Sequence, residues 1–393
     1  MNIHLCIVSH QALANLIPLL QYKPHGVALI VSGPMEAAAK SFRNVLESQG
    51  WASEQILDCP IKLGNYDSLF EQAYEIEEKV KEEFPDAILT YNATGGTKLM
   101  ALAFTQWFSS DHKVIYSDTS AHLIEHLSPR GKSADRMASV LSLELYLKAG
   151  GKTLRKRGDD CITWSERCGK RQAATYFMAH HAAGLQDFVS VLNRHFSEYN
   201  DGKKVPDILT FDRTPRDKWL RALELLQQGG VLDRGSSVLD WYPKGGDSAI
   251  YLSGGWFEEY VWLVAKASGA YDVAFDLDFT DDTRPKSDVR NQIDVAVLHE
   301  NRLLLLECKT GNTTRDGRDA DMVYKLDSLV KQAAGSLGAC ALISFRPLDH
   351  VAATGIVDVR ARAQGAGVLT CENHQLPELG DCIQRWISAG EWK

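Results

Sequence analysis

The stretch Asn291–Gly311 constrains this chain most. Two apolar runs, Ile293–Leu298 and Leu303–Leu306, flank the polar group His299-Glu300-Asn301-Arg302. Such runs across a short polar group predict an antiparallel hairpin. Asp294 lies near the start of its first strand, and Glu307 and Lys309 near the end of its second. In an antiparallel pair those ends lie side by side, and Glu307 and Lys309 share a face because strand side chains alternate. Burying two carboxylates and a lysine there is costly unless they are paired or hold a metal. Carboxylate oxygens suit a hard divalent cation that keeps several waters. Such an ion activates water and stabilises charge on a phosphate, with the lysine assisting. Any exposed strand can carry Glu-x-Lys, so a surface salt bridge is the plain alternative, disfavoured by the apolar hairpin.

Upstream, Ser253-Gly254-Gly255-Trp256 opens a segment in which Phe257, Tyr260, Val261 and Val264 form a helical stripe. Ser253 is placed to cap that helix. Asp, strand, turn and Glu-x-Lys in this order resembles the PD-(D/E)XK nucleases, with Ile293-Asp294 where that family usually has Pro-Asp. The family places a further glutamate on the helix before the hairpin. The resemblance therefore implies a catalytic set of Asp294, Glu307, Lys309 and Glu258. It also implies that Asp294, Glu307 and Glu258 hold Mn2+ or Mg2+. Glu259 lies about 100° further round the helix and is the alternative; one of the two glutamates is expected to be a solvated first-turn acid favouring the helix dipole.

Composition sets outer limits. A length of 393 residues predicts two domains or more, and 45% hydrophobic with 24% charged residues is ordinary for a globular protein. No apolar segment is long enough to span a bilayer. The first residues read as a strand, without the basic start of a signal peptide. The eight cysteines are scattered, with no Cys-x-x-Cys pair, which predicts reduced thiols and a cytoplasmic location without a membrane partner. A net charge of −8 argues against a sequence-independent nucleic-acid coat, though a local basic groove remains compatible.

Residues 1–130 alternate strand and helix. Strands are predicted at Ile3–Val8, Gly26–Val31, Ala87–Tyr91 and Val114–Ser117. Helices are predicted at Gln11–Leu20, Met35–Glu47, Asp67–Glu83 and Thr97–Phe108. Repeated β-α units of this length indicate a parallel sheet covered on both faces. The informative turn is Asn92-Ala93-Thr94-Gly95-Gly96-Thr97-Lys98. Its glycines let backbone approach a ligand, and free N–H groups at a helix start attract phosphate. Its spacing matches neither the P-loop nor the dinucleotide fingerprint, and a tight turn with a threonine cap is the alternative reading.

A Rossmann-like domain carrying Asn-x-Thr-Gly-Gly-Thr-Lys after its fourth strand resembles the CARF domains, which sense cyclic oligoadenylates in type III CRISPR immunity. A CARF domain followed by a PD-(D/E)XK core is similar to the ancillary nucleases activated by cyclic tetraadenylate. The resemblance implies ligand contacts from Ser9, His10 and Gln11 after the first strand, and from Thr94, Gly95, Gly96, Thr97 and Lys98 in the turn. Ser32-Gly33 and Ser117-Asp118-Thr119 end strands on the same edge. A ring that repeats one chemical group suits a two-fold site, so a homodimer sharing one activator is expected.

The expected architecture is α/β in three parts. Residues 1–130 form the sensor, 131–250 a helical or winged-helix-like connector, and 251–393 a restriction-endonuclease-like α/β/α domain. In the connector, helices are predicted at Ser139–Ala149, Ala173–Ala183, Leu185–Phe196 and Lys218–Gln228. Two wing strands follow, at Val231-Leu232 and Val238–Tyr242. The basic run Lys152, Arg155, Lys156 and Arg157 reads as a solvated face, with a nucleic-acid contact the lesser reading. Beyond the hairpin come a charged loop at Arg315–Asp321, a helix at Asp327–Ala334, a strand at Gly338–Phe345, a helical stripe at Asp349–Ala363 and an edge strand at Gly367–Leu369. Tyr324, Lys325 and Lys331 lie within reach of a substrate phosphate in this scheme, with surface packing the commoner role.

Three functions compete. The first is a cyclic-oligoadenylate-activated, metal-dependent endonuclease cutting DNA or RNA. The second is a ligand-responsive regulator that binds nucleic acid without cutting it. The intact Asp294, Glu307 and Lys309 set favours the first over the second. The third, a Rossmann oxidoreductase, lacks Gly-x-Gly-x-x-Gly after the first strand.

Overall fold

The computed structural model describes residues 1–199, 207–282, 290–311, 323–324, 326–328, 337–352 and 355–392. The expected loop Arg315–Asp321, Lys325 and Lys331 lie outside them. Two compact units emerge, one built on residues 1–154 and the other on most of 155–393.

The first unit is a doubly wound sheet with the strand order Ile56–Ile61, Gly26–Ser32, Asn2–Ile7, Ile88–Asn92, Lys113–Asp118, Leu123–Ser128 and Asp135–Arg136. The first five are parallel and the last two antiparallel. All four expected strands and helices appear within a few residues, the helices being Ala12–Tyr22, Glu36–Ser48, Tyr66–Glu83 and Lys98–Phe108. Strand Ile56–Ile61 was not expected: Pro60 and Asp58 break its apolar run, and an edge position tolerates both. The order reverses between Asn2–Ile7 and Ile88–Asn92, so a topological switch point opens at their carboxyl ends, where sheets of this kind bind ligands.

The second unit has a mixed sheet ordered Leu369–Glu372, Gly338–Ser344, Arg302–Lys309, Arg290–His299 and Asp272–Asp281, with Lys152–Lys156 as the edge strand. The hairpin forms as expected. Val295 pairs with Leu306 and His299 with Arg302, and Glu300 and Asn301 both take positive φ, 46° and 63°, as a two-residue primed turn requires. Helices Ile162–His180, Ala182–Phe196 and Asp217–Gln228 share one buried core with this sheet and with helix Trp256–Ala267. Strands Leu232–Arg234 and Asp240–Pro243 pair antiparallel after helix Asp217–Gln228, in the place expected of a wing.

Two expectations are overturned and a third holds only in part. Ser253 caps nothing: the chain is already helical from Gly246, Ser253 lies in a π-turn, Tyr251–Gly255, and its hydroxyl donates to the Ile250 carbonyl. Asp349–Ala363 is not one helix but a hairpin, Asp349–Ala352 with Gly355–Asp358, followed by helix Val359–Gly365. The β-branched residues Val351, Ile356 and Val357 favour strand over helix. The basic run is a solvated face only in part, at Arg155 and Lys156, which are exposed. Lys152 is buried, Lys156 meets Asp276 at 2.5 Å, and Arg157 meets Asp159 and Asp272 at 3.0 Å each. Asp276 and Asp272 of the neighbouring strand, with Asp159, thus pair Lys156 and Arg157.

Candidate functional site

Two sites follow, each within its own unit. In the sensor unit, strand Ile88–Asn92 ends in the glycine-rich turn. Asn92 organises it: its amide oxygen accepts from the Thr94 N–H at 3.1 Å and hydroxyl at 2.6 Å, and its amide nitrogen donates to Asn15 at 3.0 Å. Thr94 Oγ1 in turn accepts from the Ser117 N–H at 2.7 Å, so this hydroxyl is committed to the turn. Gly95 is buried, and a Cβ there would stand 2.1 Å from the Ile7 carbonyl oxygen. That glycine is required by close packing of the turn on the first strand rather than by a ligand. Gly96 has φ +82°, the left-handed region that favours glycine.

Thr97 caps helix Lys98–Phe108 by accepting from the Met100 N–H at 3.2 Å. His10, Gln11, Gly96, Thr97 and Lys98 are exposed, and Ser9 and Thr94 half-buried. The loop after the first strand, where Ser9 Oγ accepts from the Gln11 N–H at 3.3 Å, and the glycine turn flank the switch point from its two sides. Ser117, near the end of strand Lys113–Asp118, has a buried hydroxyl oxygen without a partner.

In the second unit, strand pairing brings Asp294 beside Glu307. Asp294 is 9% exposed, and its Oδ2 accepts from the Cys308 N–H at 2.7 Å. Lys309 Nζ donates to Glu307 Oε1 at 2.5 Å. Burial, then the neighbouring Glu307 charge, pushes Asp294 up to about 7. Burial, then Asp294, pushes Glu258 up to about 8. Burial works against the Lys309 charge, but Glu307 and Asp294 outweigh it and hold its pKa above the ordinary value. Lys309 is therefore a cation at neutral pH and acts by charge, not as a base.

Tertiary packing separates the two glutamates. Glu258 is half-buried and feels Asp294 and Lys309. Glu259 is 2% exposed and ion-paired with Arg171. Neither is a solvated acid, which corrects that expectation. Asp276, unremarked in the sequence reading, also loads this site: its charge raises both Glu258 and Asp294, and Lys156 and Gln292 hold it, the latter at 2.6 Å. The alternation Val273, Phe275, Leu277, Phe279 against Asp276 and Asp278 was the available signal for that strand.

Oxygen donors that raise one another's pKa fit a hard cation, which relieves their repulsion. Among the described residues no three acidic, histidine or cysteine side chains already converge as a ligand cluster. A magnesium-type ion is commonly held by one or two carboxylates and waters, which Asp294 and Glu307 can supply.

A doubly wound domain with an exposed switch-point turn, followed by a sheet end bearing carboxylates and a lysine, defines a sensor-coupled nuclease. The chain belongs to the Card1-type CARF nucleases: residues 3–146 match the Card1 CARF domain and residues 247–389 the Card1-like endonuclease domain. Its fold is similar to that of protein VC1899 from Vibrio cholerae, with 19% identity, TM-score 0.85, and coverage of 100% of this chain and 99% of that one. It is similar also to Can2 from Sulfobacillus thermosulfidooxidans, solved in complex with cyclic tetra-adenylate, with 21% identity, TM-score 0.76, and coverage of 99% and 100%. No match is found among curated protein sequences. Among the described residues no helix is long and apolar enough to cross a membrane.

Proposed function

We propose that this protein is a cytoplasmic endonuclease of CRISPR defence that cuts DNA or RNA, switched on when its CARF domain binds cyclic tetraadenylate. The observation that carries the nuclease reading is buried Asp294 set beside half-buried Glu307 and Lys309 at the charged end of the domain's core hairpin. Asp294 and Glu258, whose pKa values burial and mutual repulsion raise, gain from a cation placed between them. The site is read as PD-(D/E)XK in type. Asp294 and Glu307, with Glu258 as the third acid, would hold Mg2+ or Mn2+, which when bound supplies Lewis acidity and lowers the pKa of water. Lys309 offsets charge that develops on the phosphate. Glu307 holds the Lys309 ammonium in place, and the Cys308 N–H fixes the Asp294 carboxylate. The test is cleavage of labelled DNA and RNA with Mg2+ or Mn2+, with and without the ring. No cutting under any combination would leave the non-cleaving regulator as the better reading.

The partition into sensor (1–130), connector (131–250) and nuclease (251–393) is retained as part of this proposal. It is supported by the wing-like strand pair and by the family matches that leave the middle of the chain uncovered.

For the sensor, Ser9, His10, Gln11 and the turn Thr94–Lys98 are proposed to contact the ring. Thr97 is a helix cap, whose loss costs about 1 kcal/mol, so Lys98→Ala alone is the cleaner probe than a double change with Thr97→Ala. Lys98→Ala is expected to weaken cyclic tetraadenylate binding by about tenfold in calorimetry with an unchanged Tm. Undiminished affinity would place the ligand elsewhere.

The working unit is proposed to be a homodimer sharing one ring. Leu99 and Leu102, 41% and 63% exposed, lie one turn apart on the helix that starts at the ligand turn. Neighbours at that spacing make an apolar stripe that a second copy would cover. Light scattering should return twice the 43.7 kDa chain mass, with one ring per two chains. A monomer, or one ring per chain, removes the shared site.

A further inference from the structure

Glu258 sits on a helix whose angular setting is not inherited from the helix before it. Between Gly246–Ile250 and Trp256–Ala267 lies the π-turn Tyr251–Gly255, in which Gly254 takes φ 146° and ψ −26°. A break of that kind interrupts the regular hydrogen-bond ladder, so rotation about the second helix must be set by side chains.

Arg171, on helix Ile162–His180, meets every piece of this break. Its side chain is 4% exposed. Nε donates to Glu259 Oε2 at 3.0 Å, and Nη2 donates to Glu259 Oε1. Nη1 donates to Asp247 Oδ2 on the short helix at 2.8 Å. The guanidinium carbon lies 4.2 Å from the ring centre of Tyr251 in the π-turn, and the Tyr251 hydroxyl is 2.8 Å from Thr175 Oγ1, one turn along from Arg171. A two-pronged guanidinium–carboxylate bond fixes direction as well as distance. Consecutive helical residues point about 100° apart, so a helix with Glu259 clamped toward Arg171 has Glu258 set as well.

We infer that Arg171 is a positioning residue for cleavage, holding Glu259 so that Glu258 is presented to Asp294 and Lys309, without itself touching substrate. The inference rests on the reading of Glu258 as part of the active site. Stability does not demand the pair, because replacing both members of a buried ion pair with apolar residues of similar volume is often neutral or stabilising. What such a replacement discards is the directional clamp.

The test uses the full chain with cyclic tetraadenylate and Mn2+, and measures Tm, ring affinity, kcat and KM. Two changes are compared, Arg171→Lys and the double change Arg171→Met with Glu259→Met, alongside Glu258→Gln. Both are expected to fold and to bind the ring as the wild type does. Both should lose about tenfold or more in kcat, the scale for a displaced catalytic group, with KM within about twofold. A folded double variant that keeps kcat within about twofold of wild type overturns the proposal. So does failure of both variants to fold, which would make the pair a stability element. Wild-type cleavage by Glu258→Gln would instead defeat the assignment of Glu258 and leave the clamp without an object.

Discussion

Asp294→Asn and Glu307→Gln are each expected to lower cleavage by about a hundredfold or more, the scale set by losing one group that stabilises transition-state charge, while ring affinity stays at the wild-type value. Both substitutions keep shape and remove charge. Asn at position 294 still offers an oxygen to the Cys308 N–H, now 2.7 Å from Asp294, so the strand pairing survives. Gln at position 307 still accepts from Lys309, but as a neutral group it no longer offsets the ammonium. Lys309→Ala should lose comparable activity, because Glu307 and Asp294 hold its charge at the site. The ring site belongs to another unit, so calorimetry serves as the internal control. Cleavage at wild-type rate by either carboxylate variant would falsify the active-site assignment.

Asp294 and Glu258 should make the metal-free protein less stable as pH rises. An unfolded Asp or Glu titrates near 4, whereas burial and mutual repulsion put Asp294 near 7 and Glu258 near 8 in the folded chain. Between these limits the folded state binds more protons than the unfolded one. The stability these groups contribute is therefore complete below about pH 4 and is lost as pH rises through 7 to 8. In chelator, the wild-type Tm should fall from pH 6 to pH 8.5 more steeply than that of Asp294→Asn or Glu258→Gln. The neutral variants should be the more stable at the alkaline end. Because a cation binds the deprotonated carboxylates, apparent Mn2+ affinity should rise over the same window, and Mn2+ should restore the lost Tm only in the wild type. Parallel Tm curves for wild type and variants would show that these groups carry no such strain.

Much of this was legible in the residue order. The hairpin could be read because apolar runs meet charged residues at one end, and alternation alone puts Glu307 and Lys309 on one face. The sensor sheet was legible because strand and helix periods alternate cleanly through residue 118. Elements that failed to stand out lacked such a pattern locally. Strand Ile56–Ile61 carries a proline and an aspartate, and the segment after Asp349 mixes a helical stripe with β-branched residues that pair only when a partner strand is present.

By itself, then, the sequence determined the two domain types, the hairpin and the placing of Asp294, Glu307 and Lys309 at one end of it, since each depends on spacing along the chain. Only the tertiary structure separated Glu258 from Glu259, because Arg171 lies 88 residues from Glu259 in sequence and bonds it in space. It alone added Asp276 to the acidic group and tied Lys156 to it. It likewise showed that Gly95 is demanded by the Ile7 carbonyl. Those facts are contacts between distant segments, and a burial or charge pairing of that kind has no local periodicity from which to be read.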